Sequence, residues 1–298
     1  MGIASRTYCV ARHHFRINIP MDKLQWNDLG NYTPFETSDK GDEVLFSINY
    51  VETLPQVNPV TLAEFPAEED MIALKLSESG SDWLFEFKLS GTADIPMGAL
   101  LVSGDLSQGW FCPNASLRRS NKVYMFNYSV MLLFSFASCR HNTLAIHASV
   151  VRNGSKSYLF LGKSGTGKST HSRLWLDNIP GTDLINDDNP IIGVLEDGTV
   201  MAYGSPWSGK TPCYRNTSAA VGAFVKIRQS KENVITPLSV VEAYAALYSS
   251  TSGYKLDERF ADPIHKSMEM VAVNVPFYCL DCRPDKEAAE ICHKEICR

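Results

Sequence analysis

The sequence contains no hydrophobic run long enough to cross a membrane as a helix. Its longest apolar-rich stretch, residues 129–139, has 11 residues, whereas a transmembrane helix needs about 20. Residues 1–16 carry arginine and histidine but no continuous apolar segment, so we expect no secretory signal peptide. These two features predict a protein that does not associate with membranes.

An excess of positive charge, which dedicated nucleic-acid-binding proteins usually carry, is also missing. The 298 residues include 28 lysines and arginines against 33 aspartates and glutamates, a formal charge of −5. We therefore expect no nucleic-acid partner. Cysteine is sparse, with 8 residues, too few for a small secreted disulfide scaffold. These numbers predict free thiols in a reducing compartment, and hence a cytoplasmic protein.

The sequence divides by composition into two parts. In the first part, apolar stretches such as residues 44–50 and 83–89 alternate with segments rich in proline and glycine, which is typical of β-strands and turns. This pattern predicts an antiparallel, β-rich N-terminal domain over residues 1–122, for which the sequence indicates no chemistry. The polar stretch 118–122 marks the expected boundary, and residues 123–298 form the second domain.

In the second part, strand-like and helix-like segments follow one another. Residues 127–141 are apolar on more than one side, which predicts a buried helix. Ser239 and Glu242 form a capping box at the start of another helix, and Pro284 with Asp285 opens the last one. Short β-rich stretches lie at 146–151, 158–161, 183–185, 191–195, 200–203 and 221–227. The whole predicts an α/β domain in which helices cover a sheet.

Residues 162–169 match the phosphate-binding pattern G-x-x-x-x-G-K-[ST] at every fixed position. Glycines let the backbone turn its N–H groups toward anionic oxygens, and the helix expected over 169–177 adds the positive end of its dipole. Lys168 can reach the β- and γ-phosphates, and Ser169 offers a hydroxyl to magnesium. The motif predicts binding of ATP and Mg²⁺ by Gly162, Lys163, Ser164, Gly165, Thr166, Gly167, Lys168, Ser169 and Thr170.

An acidic pair follows the motif at a distance that suits a metal-dependent site. Asp187 stands 19 residues after Lys168, and Asp188 comes directly after it. One carboxylate can hold magnesium while the other accepts the proton of an attacking hydroxyl. The surrounding sequence is also typical of a turn after a strand. Because a phosphate-binding motif precedes the pair, we favour the catalytic interpretation.

Together, these residues resemble the HPr serine kinase and phosphoenolpyruvate carboxykinase superfamily of P-loop proteins. His147, which stands 15 residues before Gly162, matches the histidine that precedes the loop strand in HPr kinases. The resemblance covers residues 147–189 well and the rest of the second domain loosely. It implies a mixed-sheet P-loop kinase domain of this type and, as in the HPr kinases, assembly into homo-oligomers.

The resemblance also implies catalytic roles for individual residues. Lys168 and the loop amides would bind the triphosphate, and Ser169 with Asp188 would assist magnesium. Asp187 would act as the base for the acceptor hydroxyl, and His147 would orient that hydroxyl or bind phosphate nearby. The division of roles between Asp187 and Asp188 stays open.

We therefore predict an ATP-dependent kinase that transfers the γ-phosphoryl group to a hydroxyl. The acceptor stays open, since a serine in a protein or peptide, free serine and a sugar all fit the chemistry. The alternatives are an ATP-binding regulatory protein without transfer activity, a carboxykinase-like enzyme and a degenerate P-loop scaffold.

Two further groups of residues have ambiguous patterns. Lys210 and Arg215 follow a glycine-containing loop and are candidates for contact with phosphate or an anionic acceptor, with Trp207 closing over the site. A surface loop with solvated charges explains them equally well. Cys279 and Cys282 have a C-x-x-C spacing that zinc sites also use. Because residues three apart on a strand point to opposite faces, we favour buried, inert cysteines.

Overall fold

The computed structural model describes residues 2–38, 43–67, 72–89, 95–209 and 211–297. The chain divides into two compact units, Met1–Ala137 and Ser138–Arg298. Composition places the boundary near residue 122, whereas the first unit extends to residue 137. Residues 122–137 belong to a helix that packs on the sheet of the first unit.

Within the described residues, the first unit consists of one eight-stranded sheet, a 3-10 helix and a long α-helix. Its strands are β1 (Ile3–Val10), β2 (His13–Pro20), β3 (Phe46–Tyr50), β4 (Val60–Phe65), β5 (Ile72–Ser79), β6 (Asp82–Leu89), β7 (Ile95–Val102) and β8 (Gln108–Pro113). The 3-10 helix is Trp26–Phe35, and helix α1 is Arg119–Ser138. The strand order is β1-β2-β3-β8-β7-β6-β5-β4.

This first sheet is mixed, so the prediction of an antiparallel sheet is wrong although its β-rich character is confirmed. Strand β3 runs parallel to both of its neighbours, β2 and β8. The other paired strands of the sheet are antiparallel. The cause is the long connection from β2 to β3, which contains the 3-10 helix and brings the chain back to the end of the sheet at which β2 began.

Helix α1 belongs to the first unit because its aromatic side chains pack on this sheet. Phe126 contacts Tyr50 with ring centroids 5.8 Å apart, and Phe136 meets Phe85 edge-on at 5.1 Å. The helix begins at Arg119 rather than at the predicted residue 127. Its first turn, residues 119–122, is polar and mostly exposed, so the start of the helix carries no apolar signal, and the apolar residues begin only at Val123.

The second unit is a mixed α/β fold with a nine-stranded sheet, as the sequence predicts in outline. Its strands are β9 (Thr143–Ala145), β10 (Ala148–Asn153), β11 (Lys156–Leu161), β12 (Thr182–Asp188), β13 (Ile191–Val194), β14 (Val200–Tyr203), β15 (Ser218–Gln229), β16 (Val234–Pro237) and β17 (Phe277–Cys282). Its helices are α2 (Lys168–Asn178), α3 (Val240–Ser250), α4 (Glu258–Asn274) and α5 (Lys286–Ile296). The strand order is β12-β10-β11-β15-β14-β13-β9, and β17 pairs with both β15 and β16.

Local signals in the sequence locate two of these helices. The capping box of Ser239 and Glu242 is present at the start of α3, and the Asp285 side chain accepts the Ala288 N–H at the start of α5. In the described part of the chain, no helix combines the length and the apolar character that crossing a membrane would require.

Both faces of the second sheet are buried around β15. On one face, α2 and α5 close a core that includes Phe160, Trp175 and Val225. Successive side chains of a strand point to opposite sides, so Phe224 lies on the other face from Val225. There it stacks on Phe277 with ring centroids 4.5 Å apart. Helix α2 is thereby fixed at the end of β11, where the phosphate-binding motif lies.

His171 lies on α2 within the first of these cores. Its Nε2 accepts the indole N–H of Trp175 at 3.1 Å, and its ring meets Phe160 edge-on at a centroid distance of 4.6 Å. Burial lowers the pKa of His171 to about 4, because a charged imidazolium is costly in an apolar core. The imidazole is therefore neutral in the fold at pH 7.

Stability is expected to fall in acid because of His171. The unfolded chain takes up this proton near pH ~6.5, but the folded chain resists it until about pH 4. The neutral His171 therefore adds its full stabilisation above about pH 6.5. This stabilisation, roughly 3 kcal/mol in the free energy of unfolding, is lost as the pH falls toward 4. Urea unfolding across this range measures the loss. His171→Gln should flatten this loss; an equally steep loss in His171→Gln would contradict the prediction.

Candidate functional site

The glycine-rich loop, residues 162–167, joins the end of β11 to the start of α2. Its glycines all have positive φ, which is +152° at Gly162, +74° at Gly165 and +105° at Gly167. Side chains rarely tolerate these conformations. At Gly162, an added Cβ would also lie 2.5 Å from Thr166 Oγ1. The motif thus forms the strand-loop-helix geometry that its sequence predicts, with the helix beginning at Lys168 directly after the loop.

Hydrogen bonds from the protein itself hold the loop in this shape. Thr166 donates its N–H and its hydroxyl to the Lys163 carbonyl, at 3.2 and 2.7 Å. Gln229, the last residue of β15, donates from Nε2 to the Gly165 carbonyl at 3.1 Å. Sequence patterns do not reveal Gln229, because only the parallel pairing of β15 with β11 brings it to the loop.

Lys168 is buried and its ammonium group turns back onto the loop. Its Nζ donates to the carbonyl of Gly162 at 2.8 Å and to that of Lys163 at 3.2 Å. These carbonyl dipoles keep a buried ammonium group favourable in its charged form. The charge is therefore held at the loop, where an anion on the loop amides would meet it.

The two predicted aspartates end strand β12 and have different partners. Asp187 is buried, and its Oδ1 accepts the hydroxyl of Ser169 at 2.8 Å. Asp188 lies against His147, with 3.3 Å between Oδ1 and Nε2. The structure thus brings Ser169 together with Asp187, rather than with the Asp188 that the resemblance implies for magnesium. One carboxylate faces the start of α2 and the other faces the imidazole.

Asp188 has an unusual backbone conformation and an unusual electrostatic environment. Its φ is +120°, a region that a non-glycine residue adopts at a cost of about 1–3 kcal/mol and that occurs mainly at functional sites. Burial raises the pKa of the Asp188 carboxyl, and so does the charge of Asp187, while the charges of His147 and Lys168 oppose them. A raised pKa makes a carboxylate a better proton acceptor near neutral pH.

His147 lies at a break between β9 and β10, where the sequence predicts one continuous strand. The chain pairs with β13 before the break and with β11 and β12 after it. At the break, Ile146 N–H donates to the Pro190 carbonyl at 3.1 Å, and His147 N–H donates to the Ser250 carbonyl at 2.8 Å. Because these carbonyls replace ladder partners, the chain can bend here, and the imidazole of His147 is placed against Asp188.

The 204–209 loop is anchored beside the acidic pair. Gly209 N–H and Ser208 Oγ both donate to the Asp187 carbonyl, at 2.8 and 3.0 Å. Trp207 is buried, with 6% of its surface exposed. This burial favours the alternative in which Trp207 is a packing residue of the loop and gives no support to its closing over the site.

The structure does not bring Arg215 to the glycine-rich loop. Its guanidinium donates to Asp183 Oδ2 at 2.8 Å and to the Leu184 carbonyl, and Asp183 is also bound by Arg152 at 2.7 Å. Asp183 lies five residues before Asp188 on β12, about 16 Å away along an extended strand. The ion pair accounts for Arg215 without a phosphate. The other candidate of that group, Lys210, lies outside the described residues.

Cys279 and Cys282 are buried on β17, as the sequence predicts. Burial raises the pKa of both thiols, to about 11 for Cys282, so both are protonated at neutral pH. Among the residues that the structure describes, no group of three or more histidine, cysteine, aspartate and glutamate side chains is placed to hold a metal ion.

Comparison with known proteins adds little to this geometry. No family model matches the chain, and no curated protein matches it. Among solved structures, an HPr(Ser) kinase/phosphatase from Coxiella burnetii is similar, with 12% identity over 50% of this chain and 86% of that chain, at a TM-score of 0.31. A likeness of this size carries no conclusion about this chain, so its own residues must support any proposal.

Proposed function

We propose that this chain is an ATP-dependent kinase that transfers the γ-phosphoryl group to a hydroxyl acceptor. The observation that carries the proposal is the meeting of two carboxylates with separate partners beside a glycine-rich loop. Ser169 donates to Asp187 at 2.8 Å, and His147 lies 3.3 Å from Asp188. Phosphoryl transfer needs a phosphate-binding loop, a metal site and a group that receives the acceptor proton, and these residues offer each of them.

The triphosphate would bind to the glycine-rich loop and the first residues of α2. The loop N–H groups and the free N–H groups at the helix start attract anionic oxygens. Lys168 adds a full positive charge, and Thr170 adds its backbone N–H in the first turn. The positive φ values at Gly162, Gly165 and Gly167 support this role, because they allow successive N–H groups to converge.

Magnesium fits Ser169 and Asp187. Their oxygens are 2.8 Å apart, and hydroxyl and carboxylate oxygens are the ligands that magnesium takes in phosphate sites, with one or two carboxylates sufficing. When bound, the ion would neutralise charge on the phosphates. In this division Asp187 takes the metal role that the resemblance gives to Asp188.

Asp188 would receive the proton of the acceptor hydroxyl. The acceptor oxygen forms a bond to the γ-phosphorus, the bond from that phosphorus to the bridging oxygen breaks, and ADP leaves with the electron pair. His147 would hold the Asp188 carboxylate in place. Their side chains are 42% and 38% exposed, so an acceptor can approach both.

Calorimetric titration with ATP, ADP and AMP in the presence of magnesium tests the nucleotide half of the proposal. We expect AMP to bind at least about tenfold more weakly than the other two, because it lacks the phosphates that the loop and Lys168 would hold. Transfer of radiolabelled γ-phosphate to serine, serine-containing peptides and sugars tests the other half. Equal affinity for all three nucleotides would contradict phosphate binding at the loop.

A further inference from the structure

Asn186 is a fully buried amide directly before the acidic pair. Its Nδ2 donates to the Trp207 carbonyl at 3.1 Å and to Ser205 Oγ at 3.2 Å. Its Oδ1 accepts the N–H of Asn189 at 2.9 Å. The amide therefore uses its donors and its acceptor to connect the turn after β12 with the 204–209 loop.

Ser205 completes the same connection from the loop. It is also fully buried, and its hydroxyl donates to the Asn189 carbonyl at 2.6 Å. The same oxygen accepts the Trp207 N–H at 3.2 Å. Buried polar groups linked in this way are costly to separate, because each would lose its partner away from water.

These contacts involve the residues on either side of Asp188 in the sequence and a loop that packs against it. Asn189 Nδ2 donates to Asp188 Oδ2 at 2.7 Å, and Gly209 packs so closely that a Cβ there would lie 3.0 Å from Asp188 Cβ. A residue with a φ of +120° stays in that conformation only when its surroundings over-determine it. The turn on one side and the anchored loop on the other provide that constraint.

We propose that Asn186 and Ser205 form a positioning pair that holds the strained backbone of Asp188 and so places its carboxylate at His147. The inference rests on the proposed function, in which Asp188 receives the acceptor proton. The hydrogen bonds that shape the glycine-rich loop involve other residues. The pair therefore acts on transfer and leaves the glycine-rich loop unchanged.

Two variants, Asn186→Ala and Ser205→Ala, each remove one side of the pair, so the test survives if one of them fails to fold. Asn153→Ala is the matched control. Its amide also donates to a backbone carbonyl, that of Pro180 at 2.9 Å, but it lies at the end of β10 remote from Asp188. Transfer kinetics, hydrogen exchange and crystal structures of all three variants provide the readouts.

For both test variants, we expect kcat to fall about 10²-fold, because a displacement near 1 Å at a reacting group has that effect. The KM for ATP should stay within about twofold. Amides of residues 186–189 and 204–209 should exchange faster than in the wild type, while those of the glycine-rich loop should not change. In crystals, Asp188 should relax to a negative φ and move away from His147. The control should match the wild type throughout.

The crystal structures separate this inference from the proposed function. If the wild type transfers no phosphate, the proposed function fails, while displacement of Asp188 in the variants still decides whether the pair positions it. A folded variant in which Asp188 keeps its contact with His147 overturns the positioning. An unchanged kcat with Asp188 displaced overturns its link to transfer.

Discussion

Replacing Lys168 with alanine is expected to slow phosphoryl transfer by about 10²–10³-fold. The variant loses the ammonium group that the carbonyls of Gly162 and Lys163 hold at the glycine-rich loop. Negative charge on the transferring group and the leaving oxygen must be stabilised in the transition state. A buried, pre-positioned cation does this more effectively than solvent can. Affinity for ATP should fall as well, since the same charge contacts the bound nucleotide.

Initial rates with radiolabelled ATP and the best acceptor measure the effect. Lys163→Ala tests the neighbouring ammonium group of the same loop, whose side chain is exposed, and it should lose less than Lys168→Ala because Lys163 holds Lys168 through its backbone carbonyl. Because the Lys163 side chain lies in the loop itself and can also contact the triphosphate, Lys156→Ala is the remote control: its side chain is exposed at the start of β11, at the end opposite to the loop, and this variant should stay within about twofold of the wild type. Wild-type rates in Lys168→Ala would show that transfer does not occur at this loop.

Asp188→Asn should lower transfer by about 10²–10⁴-fold, the usual range for loss of a general base. The amide has nearly the shape of the carboxylate, so packing against Gly209 should persist. It cannot accept the proton of the acceptor hydroxyl. Calorimetric affinity for ATP with magnesium should be retained, because Ser169 and Asp187 are unchanged. A loss of binding equal to the loss of rate would argue against a base.

Asp187→Asn provides the comparison that separates the two carboxylates. If Asp187 and Ser169 hold magnesium, this variant should need a higher magnesium concentration for half-maximal rate, whereas Asp188→Asn should not. If instead Asp188→Asn needs more magnesium and Asp187→Asn does not, the two aspartates have the roles that the family resemblance implies. A wild-type protein that binds ATP with magnesium but transfers nothing to any acceptor would instead be a regulator.

The phosphate-binding loop was predictable because its information is local. Eight consecutive residues specify the turn, and the adjacent apolar strand and helix confirm its context. The break before β10 was not predictable in this way. Residues 146–151 have the composition of one strand, and the bend at His147 depends on carbonyls of Pro190 and Ser250 that lie far along the chain.

The pairing within the acidic site also depends on three-dimensional packing. Nothing in the sequence distinguishes Asp187 from Asp188, and only the docking of α2 brings the Ser169 hydroxyl to the former. Arg215 shows the converse, since its charge suggests phosphate binding but an ion pair with Asp183 accounts for it. The sequence around Asn186 is typical of a turn, but the structure buries its amide completely and bonds it to the 204–209 loop.

The hydrogen bonds from Lys168 to the loop carbonyls also affect which anions can bind at the glycine-rich loop. An incoming anion must offer the ammonium group more than the carbonyls of Gly162 and Lys163 do. A chloride ion or a lone carboxylate brings one charge and few acceptor oxygens, so the exchange gains little. A polyphosphate tail brings several of each. Chloride and single carboxylates would thus bind weakly at the loop, because the backbone carbonyls compete with them for the ammonium group.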